Sequence, residues 1–359
     1  VSTNTKVAIV GTVGLPAQYG GFETLARYLV EYLGKYFDFT VYCSGPDYAQ
    51  HEKSYHEARL CYIPLRANGA QSIFYDGLSL FDACLRADVI LLLGVSGAIF
   101  LPLANLTGKK IILNIGGLDW QRSKWGRWAS QYLHFSERMA VRAATTLIAD
   151  NDGIAEYLLK TYRRASYLIE YGGDQTTQPD LTAAERERYP FLAHPYAFDV
   201  ARIQSDNNIE MILEAFSHLS DKDLVLVGNW ASSTFGRRLK QRYRGYPNLH
   251  LLEAIYDPQE LNLLRSHCAV YVHGHSAGGT NPSLVEAMYL GLPIAAYDVV
   301  FNRATTENAA RYYRDAIELE TRMKTMSTAE WESLRAPLRE IALRRYCWKT
   351  IAAKYASIF

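Results

Sequence analysis

Short runs of aliphatic and β-branched residues recur along the chain, each followed by a stretch with apolar residues at helical spacing. In the first half the runs are 7–10, 39–43, 60–63, 89–93, 111–114 and 146–149, and in the second half 196–200, 224–227, 249–252, 270–273 and 294–297. Runs that are apolar on both faces, separated by helical segments such as 209–219, predict parallel strands joined by crossover helices. The expected fold class is α/β, with two doubly wound Rossmann-like halves facing each other across a cleft. Residues 175–195 are polar, carry Pro179, Pro190 and Pro195 and show no period, which marks an interdomain linker. The expected domains are thus 1–178 and 179–345. Trp348, Ile351, Ala352 and Tyr355 stand at helical spacing, so 346–359 is expected to be a terminal helix that docks on the first domain.

Length and charge narrow the function classes. A chain of 359 residues exceeds the size at which a single core keeps growing. Its 38 Lys and Arg against 37 Asp and Glu give a net charge of +1, which argues against a nucleic-acid coat, so any anion is bound locally. Cys43, Cys61, Cys84, Cys268 and Cys347 lack metal-ligand spacing and read as reduced thiols of a cytosolic protein. The longest apolar run, 89–106, is broken by Gly94, Ser96, Gly97, Pro102 and Asn105 and lacks the even apolarity of a spanning helix, and no signal peptide is read. The 26 tyrosines and six tryptophans supply aromatic packing and stacking surfaces.

Residues 273–291, HGHSAGGTNPSLVEAMYLG, carry the densest chemical signal. Asn281 is a good N-cap, Pro282 suits the first helical turn, and Gly291 stands where a left-handed residue ends a helix. Gly278, Gly279 and Thr280 form a loop without bulky side chains at the positive end of that helix, a setting for phosphate oxygens. Glu286 lies one turn further in, within reach of a ribose hydroxyl. An ordinary strand-loop-helix joint has the same local signals. His273 and His275 are beside the turn, but two His at i and i+2 with no third ligand do not make a zinc site. The connection after the first strand, 11–24, is long and glycine-rich and lacks the compact dinucleotide spacing G-x-G-x-x-G.

Six segments in order, VGLPAQYGGFETLARYL, GGLDWQRSKWGRWA, EYGGD, ARIQSDNNIEMILEAF, LVLVGNW and HGHSAGGTNPSLVEAM, give the chain its resemblance to the GT-B glycosyltransferases of the retaining group 1 class. The sequence is most similar to the bacterial rhamnosyltransferase-like subgroup. The resemblance implies a nucleotide-sugar donor held by the second domain, an acceptor held by the first, and no metal or other cofactor. It implies donor contacts at Gly20, Gly21, Asn229, Tyr256, His275, Gly278, Gly279, Thr280, Asn281, Ser283 and Leu284. Arg202, after the first strand of the second half, would pair with the diphosphate, or else serve a structural salt bridge. The family's lysine a few residues later is replaced by Ser205, Asp206, Asn207 and Asn208, with Arg237 and Arg238 as candidate substitutes. The class carries two glutamates eight residues apart, whereas this chain keeps Glu286 and has Gly278 at the earlier position. Loss of that contact suits a 6-deoxyhexose such as rhamnose.

In the first half, Asp119 either orients the acceptor hydroxyl and accepts its proton or caps a helix. Glu23 either touches substrate or balances a helix dipole. Trp120, Arg122, Lys124, Trp125, Arg127 and Trp128 form a basic-aromatic cluster suited to a lipid diphosphate acceptor at a membrane surface, or to the buried edge of an amphipathic helix. Tyr256 either stacks on the donor base or packs under its loop. The expected activity is transfer of a hexosyl unit, L-rhamnose from dTDP-rhamnose, with Asp119, Arg202 and Glu286 as the catalytic set. A UDP-hexose donor, a nucleotide-sugar 2-epimerase, a nicotinamide oxidoreductase and a non-catalytic sugar-nucleotide-binding subunit remain as rivals.

Overall fold

A computed structural model describes residues 4–18, 20–122 and 125–359. The chain divides into two compact units, Val1–Glu170 with Trp348–Phe359, and Tyr171–Cys347. In the first, strands β1 (Lys6–Val10), β2 (Asp38–Ser44), β3 (Ser54–Tyr55), β4 (Ala58–Ile63), β5 (Val89–Leu93), β6 (Lys110–Asn114), β7 (Thr146–Ala149) and β8 (Tyr167–Leu168) form one sheet in the order β3-β4-β2-β1-β5-β6-β7-β8. Every pairing is parallel except β3 with β4. All five residues of β5 are buried, as a strand covered on both faces requires. The order reverses between β1 and β5, so the loops after these strands meet at the topological switch point.

Helices α1 (Gly21–Leu33), α2 (Ser72–Arg86), α3 (Leu101–Asn105), α4 (Arg127–Ala143) and α5 (Asp152–Tyr162) complete this unit together with the terminal helix Trp348–Ala356. Burial of Leu25, Ala26, Leu29, Val30 and Leu33 along one stripe seats α1. The terminal helix packs beside it: Trp348 stacks on Tyr28 at 4.5 Å, and the Asn114 amide donates to the Tyr355 hydroxyl at 3.0 Å.

The second unit contains β9 (Tyr196–Val200), β10 (Asp223–Val227), β11 (Leu249–Leu252), β12 (Val270–His273), β13 (Ile294–Tyr297) and β14 (Arg311–Tyr313), all parallel, in the order β11-β10-β9-β12-β13-β14. Its switch point lies between β9 and β12. The sequence pattern omits β3, β8 and β14 because two or three residues are too few to show a period.

The division between units falls at Glu170, ahead of the expected residue 178, and residues 175–195 are ordered parts of the second unit. The reason is local bonding: Gly173 N–H donates to the Tyr346 carbonyl at 2.7 Å, and Thr182 and Glu185 form a capping box that starts helix Ala183–Arg188.

Candidate functional site

At the switch point of the second unit the loops after β9 and β12 are laced together. Asn208 donates to the Gly274 carbonyl at 2.8 Å, Ser276 N–H to the Asp206 carbonyl at 2.9 Å, and Asn207 Oδ1 meets His275 Nδ1 at 2.6 Å. Asn207 also donates to the Arg202 carbonyl at 2.7 Å, which ties the Arg202 backbone into the same lattice and leaves its side chain exposed. Ser205, Asp206, Asn207 and Asn208 therefore build the loop.

Helix Pro282–Tyr289 starts from this loop with Asn281 as N-cap. Its end is a Schellman turn: Gly291, at φ +66°, donates to Met288, and Leu292 donates to Ala287. The cap changes which amides are available. Asn281 Oδ1 accepts from Ser283 N–H at 3.0 Å, and the Asn281 carbonyl accepts from Leu284 N–H at 3.1 Å, so both first-turn amides have partners within the cap. The amides of Gly278 and Gly279 have no acceptor among the described residues and remain for an anion. Gly278 and Thr280 are buried, and Gly279 is half-buried.

Glu286 is gripped on both oxygens. Gln175 donates to Oε1 at 2.7 Å and Arg265, only 3% exposed in its side chain, donates to Oε2 at 2.5 Å. A carboxylate keeps further lone pairs, so Glu286 can still accept from a ribose hydroxyl in a fixed orientation. Arg265 stands in the last turn of helix Pro258–Ser266, and nothing in its sequence neighbourhood marks it.

Beneath the loops, Asp199 of β9 is 1% exposed and its carboxyl is pushed up to about 8 by burial. Burial likewise holds His273 neutral, with its pKa well below the usual imidazole value. Between the unfolded carboxyl value near 3.8 and about 8, the folded chain holds a proton at Asp199 that the unfolded chain has released. That contribution therefore weakens stability as pH rises through this window and is fully lost above it. Asp199→Asn removes the dependence. In urea unfolding, the variant is expected to gain on the native chain between pH 5 and pH 9, and an unchanged difference refutes the assignment.

Tyr256, 63% exposed, lines a cavity of about 330 Å³ at the carboxyl end of β11 together with Ile255, Glu253, Tyr189 and Arg188. Asn229 is exposed after β10. Arg237 donates to the Ala231 carbonyl at 2.7 Å, and Arg238 approaches Glu210, in the first turn of the helix after the β9 loop, at 3.6 Å.

In the first unit, Glu23 is turned inward. Its carboxylate accepts from Val13 N–H at 2.8 Å and Thr12 Oγ1 at 3.2 Å, clamping the glycine-rich loop. Gly20 caps α1 and Gly21 begins it. Asp119 opens a short 3-10 turn and pairs with Arg122 at 3.1 Å, and the N-cap of α4 is Gly126, so Asp119 does not cap that helix. Trp120 stacks on His134 at 4.4 Å, Arg127 and Trp128 are exposed, and Lys124 lies outside the described residues. Gly116 takes φ +64°, and a Cβ there would meet the Phe22 ring at 2.9 Å, which rules out an acidic side chain at that position without movement.

A family model described as Domain of unknown function (DUF1972) matches residues 4–174, and one described as Glycosyl transferases group 1 matches residues 184–313. The second unit carries a group 1 glycosyltransferase domain. Among solved structures, the chain is similar to sucrose-phosphate synthase from Thermosynechococcus elongatus, with 17% identity, TM-score 0.81 and coverage of 99% of this chain and 98% of that one. It is also similar to the Anabaena protein HepE in complex with UDP, with 13% identity, TM-score 0.74 and 99% of each chain covered. These likenesses establish the GT-B fold. No curated protein matches the sequence. In the second unit, sequence reasoning missed Arg265 and Gln175, whose signal is their spatial convergence on Glu286.

Proposed function

We propose that the chain is a retaining glycosyltransferase that moves L-rhamnose from dTDP-rhamnose onto a lipid-linked or polysaccharide acceptor, at the cytoplasmic face of a membrane. One observation carries the reading. The topological switch point of the group 1 glycosyltransferase domain presents the Gly278 and Gly279 amides on loops laced to the exposed Arg202. Amides at a helix start and a guanidinium are complementary to a diphosphate. The bond from the sugar C1 to the diphosphate oxygen breaks while the acceptor oxygen bonds to C1 on the same face. The acceptor proton passes to the departing phosphate oxygen, so no enzymic nucleophile is needed, and we expect neither a metal nor another cofactor. Arg202 stabilises charge growing on the leaving group, Glu286 orients the ribose, and Asp119 orients the acceptor hydroxyl. Gly278 in place of a carboxylate favours a sugar lacking one hydroxyl. His275 and Thr280 complete the polar lining, and Trp120 and Arg122 serve the acceptor.

The HepE complexes with UDP and with UDP and glucose favour a second reading, a UDP-hexose donor. Thermal stabilisation by a panel of nucleotide sugars separates the two, since a ligand at a hundred times its Kd adds about 2.7 kcal/mol. A dTDP-rhamnose response above the UDP-sugars is expected, and a response to NADH alone overturns the proposal. Tyr256→Ala is expected to weaken the best nucleotide by roughly 1–3 kcal/mol if the ring stacks on its base. Unchanged affinity assigns the 330 Å³ cavity to another role.

A further inference from the structure

Of the seventeen large apolar side chains exposed among the described residues, eight stand on α2, on α3 with its following residue, and on α4. Scattered exposed apolar residues are ordinary, whereas a contiguous set marks an interaction surface. Phe74, Leu78, Phe81 and Leu85 are 64, 50, 69 and 70% exposed, and their spacing of four, three and four residues puts them on one face of α2. The opposite face of α2 is fixed to the protein, where buried Asp76 accepts from Ser96 Oγ at 2.5 Å and Gly97 N–H at 2.9 Å. From α4, Ser136 and Tyr132 donate to the Val95 and Ser96 carbonyls of the same loop. Both helices are thus held from within, and α3 packs against each of them. Leu103 and Leu106 extend the surface from α3, and Trp128 and Phe135 from α4.

The exposed charges of these helices have one sign. Arg127, Arg138 and Arg142 of α4 are exposed, Arg86 of α2 is exposed but paired with Asp82, and no exposed residue of α2, α3 or α4 is acidic. Asp76 and Glu137 are buried, and Asp82 is half-buried against Tyr42 and Arg86. A two-fold pairing of this face with a second copy would bring together surfaces without an exposed carboxylate to meet the guanidinium groups. We infer that the α2–α3–α4 face docks on an anionic lipid bilayer, with the apolar stripe in the acyl boundary and the arginines among the headgroups. Trp128 and the long arginines have the amphipathic form that this boundary favours. No described helix is long and apolar enough to cross a membrane, so the attachment is to one surface.

The inference gives a location to the lipid-borne acceptor proposed above but does not depend on the donor. Co-sedimentation of the full chain with vesicles of phosphatidylcholine, and of phosphatidylcholine mixed with phosphatidylglycerol, tests it. Binding to the mixed vesicles is expected, and the exposed double variant Phe81→Ser with Leu85→Ser should bind at least about tenfold more weakly. Arg138→Gln with Arg142→Gln should lose the preference for the anionic lipid. Nucleotide-dependent thermal stabilisation should be unchanged in both variants. If the native chain ignores both vesicles while still responding to nucleotide, the docking face is refuted and the transferase reading stands. Equal binding by all variants refutes it as well, as does a dimer, seen by light scattering, that the Phe81 and Leu85 substitutions dissolve.

Discussion

Arg265→Met is expected to destabilise the glycosyltransferase domain by about 3 kcal/mol, because breaking a buried ion pair strands the remaining charge. Arg265 is buried, its guanidinium lies 2.5 Å from Glu286, and Glu286 itself is 19% exposed, so water can repair little of the loss. Gln175 alone, at 2.7 Å on the other oxygen, supplies a neutral donor in place of a charged one. Glu286→Gln added to Arg265→Met should recover much of the stability, since neither charge is then left without its counterpart. Urea unfolding of the native chain, the two single variants and the double variant measures the coupling. A single Arg265 variant within about 0.5 kcal/mol of the native chain, the range of an ordinary surface change, sinks the assignment. So does a double variant no better than the Arg265 single. The pair also has a functional consequence. Arg265→Met frees the Glu286 carboxylate to rotate, so nucleotide affinity should fall even under conditions where the variant is folded.

Arg202→Ala is expected to lower turnover by roughly 10²–10³-fold, the usual cost of removing one preorganised donor from developing negative charge. Arg202 is exposed, so the melting temperature should move far less than for a buried substitution. Arg202→Lys should recover part of the rate, because it restores the charge but not the forked geometry. The readout is kcat for transfer, or for donor hydrolysis, from the nucleotide sugar that stabilises the chain most. Turnover that survives the alanine substitution removes Arg202 from the mechanism and shifts leaving-group stabilisation to the Gly278 and Gly279 amides alone.

Much of this architecture is written locally. Aliphatic runs such as Val-Ile-Leu-Leu-Leu at 89–93 announce doubly covered strands, and Asn281, Pro282 and Gly291 mark both ends of one helix from within eleven residues. The partners of the Ser283 and Leu284 amides, the Asn281 side chain and carbonyl, emerge only in the folded cap. The sequence left Glu23 between a substrate contact and a dipole role, whereas its carboxylate turns back onto Val13. Local reading took a proline-rich polar stretch for a linker, although Gln175 reaches Glu286 across 111 positions.

The sequence by itself determined the two α/β units, the position of each long strand and both ends of helix Pro282–Tyr289, because side-chain period and turn chemistry act over a few residues. Tertiary structure alone decided the Arg265–Glu286–Gln175 cluster, the inward turn of Glu23 and the apolar outer face shared by α2, α3 and α4. Each of these depends on which crossover places distant residues side by side, and on whether a polar group removed from water finds its partner there.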